Sequence, residues 1–344
     1  MAGRSWLHGV ELYSYSRGFV YSPLAAALFA PFSLLPGAAG EIVWRALNVA
    51  VYLGAVVWWL RMDVQKGITR RHWAFVFLLL LPLSIGNMNN GQVNPIIIGM
   101  SMIALLAARE ERWGVAAMCV ALTTYFKIYP LAVGLLLTAL FPRRYAWRLL
   151  LALLLLGAAT FLFQRPAYVL DQYQRWFATR HADNRQLYKM DIAPRDLWML
   201  LRLAHVTISE HFYTVIQMAS GGAVALVCIA GRRSGWPRDK VFVVLLSLVT
   251  GWMLLCGPAT ESATYILLGP PVALALVEAF SLPASRGMRW WIAACYAVLV
   301  FALQLNSFFH FRKSIYSMSV QPIAALLFVG YVARWTQQAR RKSC

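Results

Sequence analysis

A short run of uncharged polar residues lies between two long apolar stretches of this sequence. It reads NMNNGQVNP over residues 87–95, and a single lysine, Lys127, follows in otherwise apolar sequence close to Pro130. Polar groups near hydrocarbon depth in a membrane are expensive, so they are usually kept for a site. Together the two features predict a polar cavity near one face of a bilayer. Its single positive charge suits a negatively charged substrate, such as a lipid phosphate.

The composition is that of an integral membrane protein. Of the 344 residues, 60% are hydrophobic and 13% are charged, about half the charged share of a soluble domain. The net charge is +19, and in a membrane protein this favours basic loops on the cytoplasmic side. The charge therefore gives no support for a nucleic-acid partner. Since no segment is long enough to fold alone in water, residues 1–344 are expected to form one integral-membrane domain.

Apolar segments recur along the whole chain, which predicts an all-α polytopic bundle with about eleven membrane segments. The predicted spans are 42–60, 73–87, 93–108, 113–127, 128–141, 146–164, 213–231, 241–257, 263–280, 290–308 and 318–335. The pair 113–127 and 128–141 is short, so we expect a broken or re-entrant element with Lys127 and Pro130 at the break. Backbone freed by such a break must line a cavity or be buried in protein.

The positive charges of the connections set the orientation. With these spans, the loops that carry Arg61–Arg71, Arg109–Arg112, Arg143–Arg148, Arg232–Lys240 and Arg286–Arg289 fall on one side, together with the C-terminal tail. That side is predicted to be cytoplasmic. The other side receives residues 1–40 and the loop 165–212. On that side, Tyr21–Pro36 is expected to be an interfacial or re-entrant segment. Residues 194–203 are expected to form an interfacial helix with Pro194 in its first turn.

Metal and disulfide chemistry have little support in the sequence. The five cysteines show no metal-ligand spacing, four of them lie in apolar segments, and the six histidines are scattered. We therefore expect no metal and no cofactor.

Three stretches resemble glycosyltransferase family 87, also described as domain of unknown function 2029. They are GFVYSPL at 18–24, which continues to Trp44, then GQVN at 91–94, and KIYP at 127–130. Their order and spacing fit over roughly residues 9–150. This bacterial family contains multi-span enzymes of GT-C type, including polyprenol-phosphate-mannose-dependent mannosyltransferases. Beyond residue 150 the likeness is mainly the alternation of spans and loops.

The resemblance implies a GT-C-type bundle whose site faces the extracytoplasmic side. It also implies a reaction in which an acceptor hydroxyl attacks the anomeric carbon of a sugar carried on a polyprenyl phosphate. One carboxylate acts as general base, the lipid phosphate leaves, and no metal is required. A base near the acceptor and a cation on the leaving phosphate make physical sense of this chemistry.

The sequence departs from the family at the general base. In the family an Asp precedes the segment that corresponds here to Gly9–Tyr13, but the first Asp of this chain is Asp63, on the predicted cytoplasmic side. We expect a chain that lacks its first helix and base loop, or else a divergent or inactive member. Near residue 260, where many relatives have a Trp/His-rich turn, the chain reads CGPATESATY. This leaves Glu261 and Glu11 as candidate catalytic bases.

The candidate substrate-binding residues are Lys127, Gln92, Asn94, Tyr21, Gly91 and Tyr265. Each polar candidate has a plainer alternative: Lys127 could reach from a helix end to the headgroups, Gln92 and Asn94 could cap the helix that follows, and Glu261 could be an exposed turn carboxylate. Asn87, Asn89 and Asn90 are expected to be ordinary turn residues.

The predicted function is transfer of a hexose, with mannose favoured, from a polyprenyl-phosphate donor to a glycolipid or envelope-glycan acceptor. The rival class is a secondary transporter or lipid flippase, because broken helices with polar residues also mark transport sites. Against that reading, the halves show no repeat. A catalytically inactive fragment is the third alternative.

Overall fold

The structure is a computed structural model that describes residues 2–14, 18–65, 67–181, 188–190, 193–258, 260–308 and 315–341. Within these ranges the chain is helical and contains no strand. The helices are α1 (Ala2–Leu7), α2 (Pro23–Ser33), α3 (Ala39–Arg61), α4 (Trp73–Asn89), α5 (Asn94–Arg109), α6 (Trp113–Phe126), α7 (Leu131–Leu140), α8 (Pro142–Ala159), α9 (Pro166–His181), α10 (Leu197–Leu203), α11 (Glu210–Arg233), α12 (Arg238–Leu255), α13 (Gly269–Ser281), α14 (Arg286–Phe308) and α15 (Ile315–Arg341). Short 3-10 helices precede α4, follow α8 and precede α13.

Each predicted span contains an α-helix, but not every one of these helices is long and apolar enough to cross a membrane. Among the residues that the structure describes, five helical stretches are long and apolar enough by length and composition, and they are Ala39–Arg61, Arg70–Asn89, Pro142–Leu162, Glu210–Arg233 and Ser262–Ser281. The structure therefore supports a helical membrane protein, while the eleven predicted crossings are not confirmed. Among the shorter helices, α5 is buried along most of its length, whereas α6 and α7 each keep an exposed face.

Several charged connections meet at one end of the bundle, which we call the basic end. The guanidinium of Arg109 at the end of α5 pairs with Asp239 at the start of α12. Glu111 pairs with Arg144 at the start of α8, at 2.9 Å, and with Arg238 at 3.5 Å. These ion pairs bring together loops that the sequence analysis placed on one side.

Hydrogen bonds join the ends of α3 and α4 to the end of α13 on the same side. Gln65, beyond the end of α3, donates to Glu278 near the end of α13 at 2.7 Å. His72, at the start of α4, lies 3.4 Å from the hydroxyl of Ser281. The negative charge of Asp63 also acts on Arg109, so this Asp lies at the basic end as predicted.

The predicted break between α6 and α7 is confirmed. Lys127 ends α6 in an extended conformation with φ −143° and ψ 142°, and Pro130 starts α7. Since Glu111 and Arg144 pair at the basic end, α6 leaves that end and α7 returns to it. The 14 residues of α6 span about 21 Å, less than a hydrocarbon core of about 30 Å. An α6 that begins at one bilayer surface would therefore reach the turn at Lys127 before the opposite surface.

The region 165–212 has more helix than predicted. Its first half contains α9, and its second half contains α10, which starts at Leu197 within the predicted helix 194–203. The prediction that Pro194 lies in the first turn is wrong, because the Asp196 carboxylate caps this helix and accepts from the Met199 N–H at 3.2 Å. The segment 21–36, predicted to be interfacial or re-entrant, contains the 11-residue helix α2.

The contact between α3 and α5 depends on a glycine. A Cβ on Gly99 would lie 2.9 Å from the Val51 carbonyl oxygen and 3.2 Å from the Tyr52 Cα. We expect Gly99→Leu to lower the free energy of unfolding by about 3 kcal/mol, because backbone atoms of α3 cannot yield easily. Thermal unfolding in detergent measures this, with Gly54→Leu on α3 as the control, since no heavy atom lies within 4 Å of a Cβ there. Equal melting temperatures of the two variants would contradict the close contact.

Candidate functional site

Lys127 and Glu261 lie at the end of the bundle opposite the basic end, and their charges interact. The Glu261 carboxylate acts electrostatically on Lys127, on Tyr21 and on Tyr129. Burial, followed by repulsion from Glu261, raises the pKa of Tyr21 to about 12, so this phenol stays protonated. The Lys127 ammonium lies 5.8 Å from the centre of the Tyr129 ring. Four residues from three distant parts of the sequence thus form one cluster, which we call the Lys127 cluster.

A chain of buried hydrogen bonds joins this cluster to the polar run. Tyr129 donates to the Asn94 side-chain oxygen at 3.2 Å, and Asn94 donates to the Asn87 side-chain oxygen at 3.2 Å. Asn87 in turn donates to the carbonyl of Ala263 at 2.9 Å. The chain connects the α6–α7 turn, the start of α5, the end of α4 and the 3-10 helix before α13. It fixes the position of the Lys127 turn relative to Glu261.

This network corrects two details of the sequence analysis. Asn87 is 3% exposed and joins two helices, so it is not an ordinary turn residue. Asn94 does not cap α5: Val93 precedes the first helical residue, and no side chain caps that end. Asn94 instead uses its amide, fully buried, to hold Tyr129 and Asn87 together.

Gly91 and Gln92 form the turn between α4 and α5. Gly91 has a φ of +59°, a region that side-chain-bearing residues rarely adopt, and its carbonyl accepts from the Trp44 indole at 2.8 Å. The N–H of Gln92 donates to the Asn87 carbonyl at 3.1 Å. The Gln92 side chain is half-buried and makes no hydrogen bond to any residue that the structure describes. Its amide is therefore free to bind a ligand.

Tyr21 is held beside the end of α6. The next residue, Ser22, donates from its N–H and from its hydroxyl to the Tyr125 carbonyl, at 3.3 Å and 2.6 Å. The carbonyl of Tyr21 accepts from the Tyr13 hydroxyl at 2.7 Å. Its ring packs edge-on against Phe29, with 6.2 Å between ring centres. These contacts place Tyr21 within the electrostatic reach of Glu261.

Glu261 begins the 3-10 helix Ser262–Leu268. Its N–H donates to the Thr264 hydroxyl at 3.2 Å, and the residue itself is exposed. A carboxylate at this position is stabilised by the unpaired N–H groups of the helix start. Tyr265 follows on the same helix but is fully buried, and its hydroxyl donates to the Arg195 carbonyl at 2.7 Å. Tyr265 thus links the 3-10 helix that Glu261 begins to the loop that contains Arg195.

Arg195 is a residue of this region that the sequence analysis did not single out. It is 8% exposed, and its guanidinium donates to the Gln321 side-chain oxygen at 2.7 Å. Its N–H donates to the Thr260 carbonyl at 2.7 Å, and Gln321 donates to the Ser262 hydroxyl at 2.8 Å. Burial lowers the pKa of Arg195. Its sequence neighbourhood reads as a surface helix, so only the long-range contacts reveal this role.

Arg45 is a second residue that was missed. It lies near the start of α3, where its Nε would be 3.8 Å from a Cβ on Gly91. That Nε is buried without a hydrogen-bond partner among the described residues, while another nitrogen of the guanidinium lies 3.5 Å from Glu41. An arginine near the start of a largely apolar helix was the available signal.

Glu11, the other candidate base, belongs to a different group of charges. Its carboxylate pairs with Arg175 of α9 at 3.0 Å, and Arg175 also pairs with Asp171 at 2.8 Å. All three side chains are about half exposed. Glu11 therefore ties the first residues of the chain to α9.

The described residues include no group of three or more His, Cys, Asp and Glu that could hold a metal ion. The cysteines that the structure describes are all buried, and none of them forms a disulfide.

The fold and the site define a helical membrane protein with a polar cluster that contains one cation, one carboxylate and several hydroxyl and amide groups. The model of glycosyltransferase family 87 matches residues 19–258, which is most of the chain and covers the three stretches quoted above except for Gly18. The chain belongs to this family, and it is therefore a glycosyltransferase by family membership. A comparison with curated proteins gives no match.

Proposed function

We propose that this protein transfers a hexose from a polyprenyl-phosphate donor to a glycolipid or cell-envelope glycan, with mannose as the first sugar to test. The Lys127 cluster carries the proposal, because it combines a cation for a phosphate with a carboxylate for an acceptor hydroxyl. The short α6 favours a cation within the bilayer, where a lipid phosphate with its chain in the membrane could reach it. Family membership supports the glycosyl-transfer chemistry.

In the proposed reaction, the acceptor oxygen forms a bond to the anomeric carbon of the donor sugar. The bond from that carbon to the phosphate oxygen breaks, and the polyprenyl phosphate leaves with the electron pair. Glu261 takes the proton of the acceptor hydroxyl, and Lys127 stabilises the charge on the leaving phosphate. Without substrate the two groups partly neutralise each other. A bound phosphate would attract Lys127 and leave the carboxylate free to act as base.

The other candidate residues divide into binding and positioning roles. Gln92 and Tyr21 offer polar groups to the sugar or to the phosphate. Asn94, Gly91 and Tyr265 shape the site, because their polar atoms are used in contacts within the protein. Glu11 remains the alternative base on sequence grounds.

The proposal is tested with the purified full chain in proteoliposomes. Polyprenyl-phosphate mannose and polyprenyl-phosphate glucose, each with a labelled sugar, are supplied with membrane lipid extract as acceptor. We expect one donor to be consumed, with release of polyprenyl phosphate and appearance of label in a new lipid or glycan. Intact donors of both kinds, in a preparation that is folded by thermal unfolding, would contradict the proposal.

We further propose that the site faces the extracytoplasmic side of the bacterial plasma membrane and that the C-terminus is cytoplasmic. The arginines of the basic end support this orientation. In whole cells, a membrane-impermeant maleimide is expected to label Asn90→Cys, and to label Arg71→Cys only after permeabilisation. Both native residues are exposed, and they lie at opposite ends of α4. The reverse pattern of labelling would place the site on the cytoplasmic side.

A further inference from the structure

The basic end contains a cavity of about 530 Å³ that lies between the starts of α8 and α12 and the end of α11. Four arginines line it: Arg143 and Arg144 of α8, Arg232 of α11 and Arg238 of α12. It lies at the opposite end of the bundle from the Lys127 cluster. The proposed transfer reaction makes no use of it.

The charges around this cavity are not balanced. Glu111 is its one acidic lining residue, so the lining carries four positive charges against one negative charge. Glu111 already pairs with Arg144 and Arg238. Neither Arg143 nor Arg232 has an ion pair with a carboxylate in the part of the chain that the structure describes. Uncompensated guanidinium groups that converge from separate helices favour an anionic ligand.

The arginines are held by protein contacts that leave donors unused. The Arg232 guanidinium lies over the Phe141 ring, 4.4 Å from its centre, and donates to the Leu140 carbonyl. Arg238 donates to the Ala108 carbonyl at 3.1 Å. A guanidinium has five N–H donors, and these contacts use only part of them. The remaining donors suit the oxygens of a phosphate group, which arginine binds with a matching fork geometry.

The surface next to the cavity is apolar and exposed. Arg143, Trp147, Leu150 and Leu154 follow one another on one face of α8, at the spacing of a helical stripe. Trp147 is 54% exposed, Leu150 is 59% exposed and Leu154 is 62% exposed. In a bilayer this stripe would contact lipid chains. Arg143, at the start of the stripe, would then lie at the level of the lipid headgroups. A phospholipid could thus lie with its phosphate in the cavity and its chains along α8.

We propose that this cavity binds a phosphate group, and that an anionic phospholipid supplies it. Basic pockets between membrane helices are suited to such headgroups. Among phospholipids, a headgroup with two phosphates, as in cardiolipin, best matches the excess of three positive charges, which is four arginines minus one glutamate.

Native mass spectrometry of the full chain in a neutral detergent tests this proposal, with cardiolipin as the probe. We expect the double variant Arg143→Gln/Arg232→Gln to weaken cardiolipin binding at least ~10-fold, because two charge-assisted contacts are lost. The matched control is Arg70→Gln/Arg71→Gln, which removes the same charge from exposed residues of the same end outside the cavity. The control should leave the affinity unchanged. Arg143→Glu, at an exposed residue, gives a second variant that should fold normally and also weaken binding.

A second experiment uses inorganic phosphate as the probe. It distinguishes the two possible sources of the bound phosphate group, which are a lipid headgroup and a soluble phosphate. If cardiolipin binds and inorganic phosphate does not displace it at millimolar concentration, the ligand is a lipid headgroup. If inorganic phosphate binds the wild type and the cavity variants lose it, the phosphate site stands, with a soluble ligand as its source. Equal weakening in cavity and control variants would overturn the proposal, and so would the failure of both probes to bind the wild type.

Discussion

The Lys127→Ala variant is expected to transfer sugar at least ~100-fold more slowly than the wild type. The lysine is the cation of the Lys127 cluster, and its ammonium would lie where negative charge develops on the leaving lipid phosphate. Removing one preorganised group of this kind typically lowers the rate by ~100- to 1,000-fold. The measurement is the initial rate of polyprenyl-phosphate release in proteoliposomes at saturating acceptor.

Two further variants separate this role from a structural one. Lys127→Arg keeps the charge and should retain part of the rate, although its planar group fits the turn less well. Arg70→Ala removes a positive charge from the basic end, far from the cluster, and should leave the rate unchanged. A Lys127→Ala protein that turns over at the wild-type rate would mean that the lysine only reaches toward the headgroups. The donor would then be held elsewhere, and Arg45 would be the first residue to examine.

The Glu261→Gln variant is expected to lose ~100- to 10,000-fold in transfer rate, the range that general base catalysis supplies. The amide has nearly the same shape as the carboxylate and can still accept a hydrogen bond at the start of the 3-10 helix. It cannot take a proton from the acceptor. Donor affinity should therefore change little, while the maximal rate falls. Both quantities come from donor titrations of the same preparation.

Glu11→Gln is the matched control for this prediction, because it makes the same change in the other candidate base. Glu11 is paired with Arg175 on α9, so we expect near-normal transfer in that variant. An inactive Glu11→Gln enzyme together with an active Glu261→Gln enzyme would move the base to the first residues of the chain. Inactivity of both variants with folded protein would indicate that the first residues and α9 help to bind the acceptor.

The two large effects should also differ in kind. Lys127 is proposed to act on the donor phosphate, so its removal should weaken donor use at low donor concentration as well as slow the reaction. Glu261 is proposed to act on the acceptor proton, so its effect should persist at every donor concentration. This difference tests the division of roles independently of the size of either effect.

The sequence by itself determined the local features of this protein. The apolar segments predicted where the long helices lie, because apolar composition is a property of each segment's own sequence. The break at Lys127 and Pro130 was also predicted from the sequence. A proline without an N–H and a charged residue in apolar sequence affect the helix only within a few residues of their own position. The family assignment rests on three short stretches with fixed spacing, and it is confirmed.

Only the tertiary structure decided which of these residues work together. Glu261 acts on Lys127 because the α6–α7 turn and the 3-10 helix before α13 are brought to the same end of the bundle. Asn87 looked like a turn residue, yet it joins α4 to Ala263 across the bundle. Arg195 and the arginines of the basic cavity likewise gain their surroundings from distant helices. The physical reason is that helix formation depends on neighbours along the chain. Burial, charge pairing and the shape of a cavity depend on how separate helices pack.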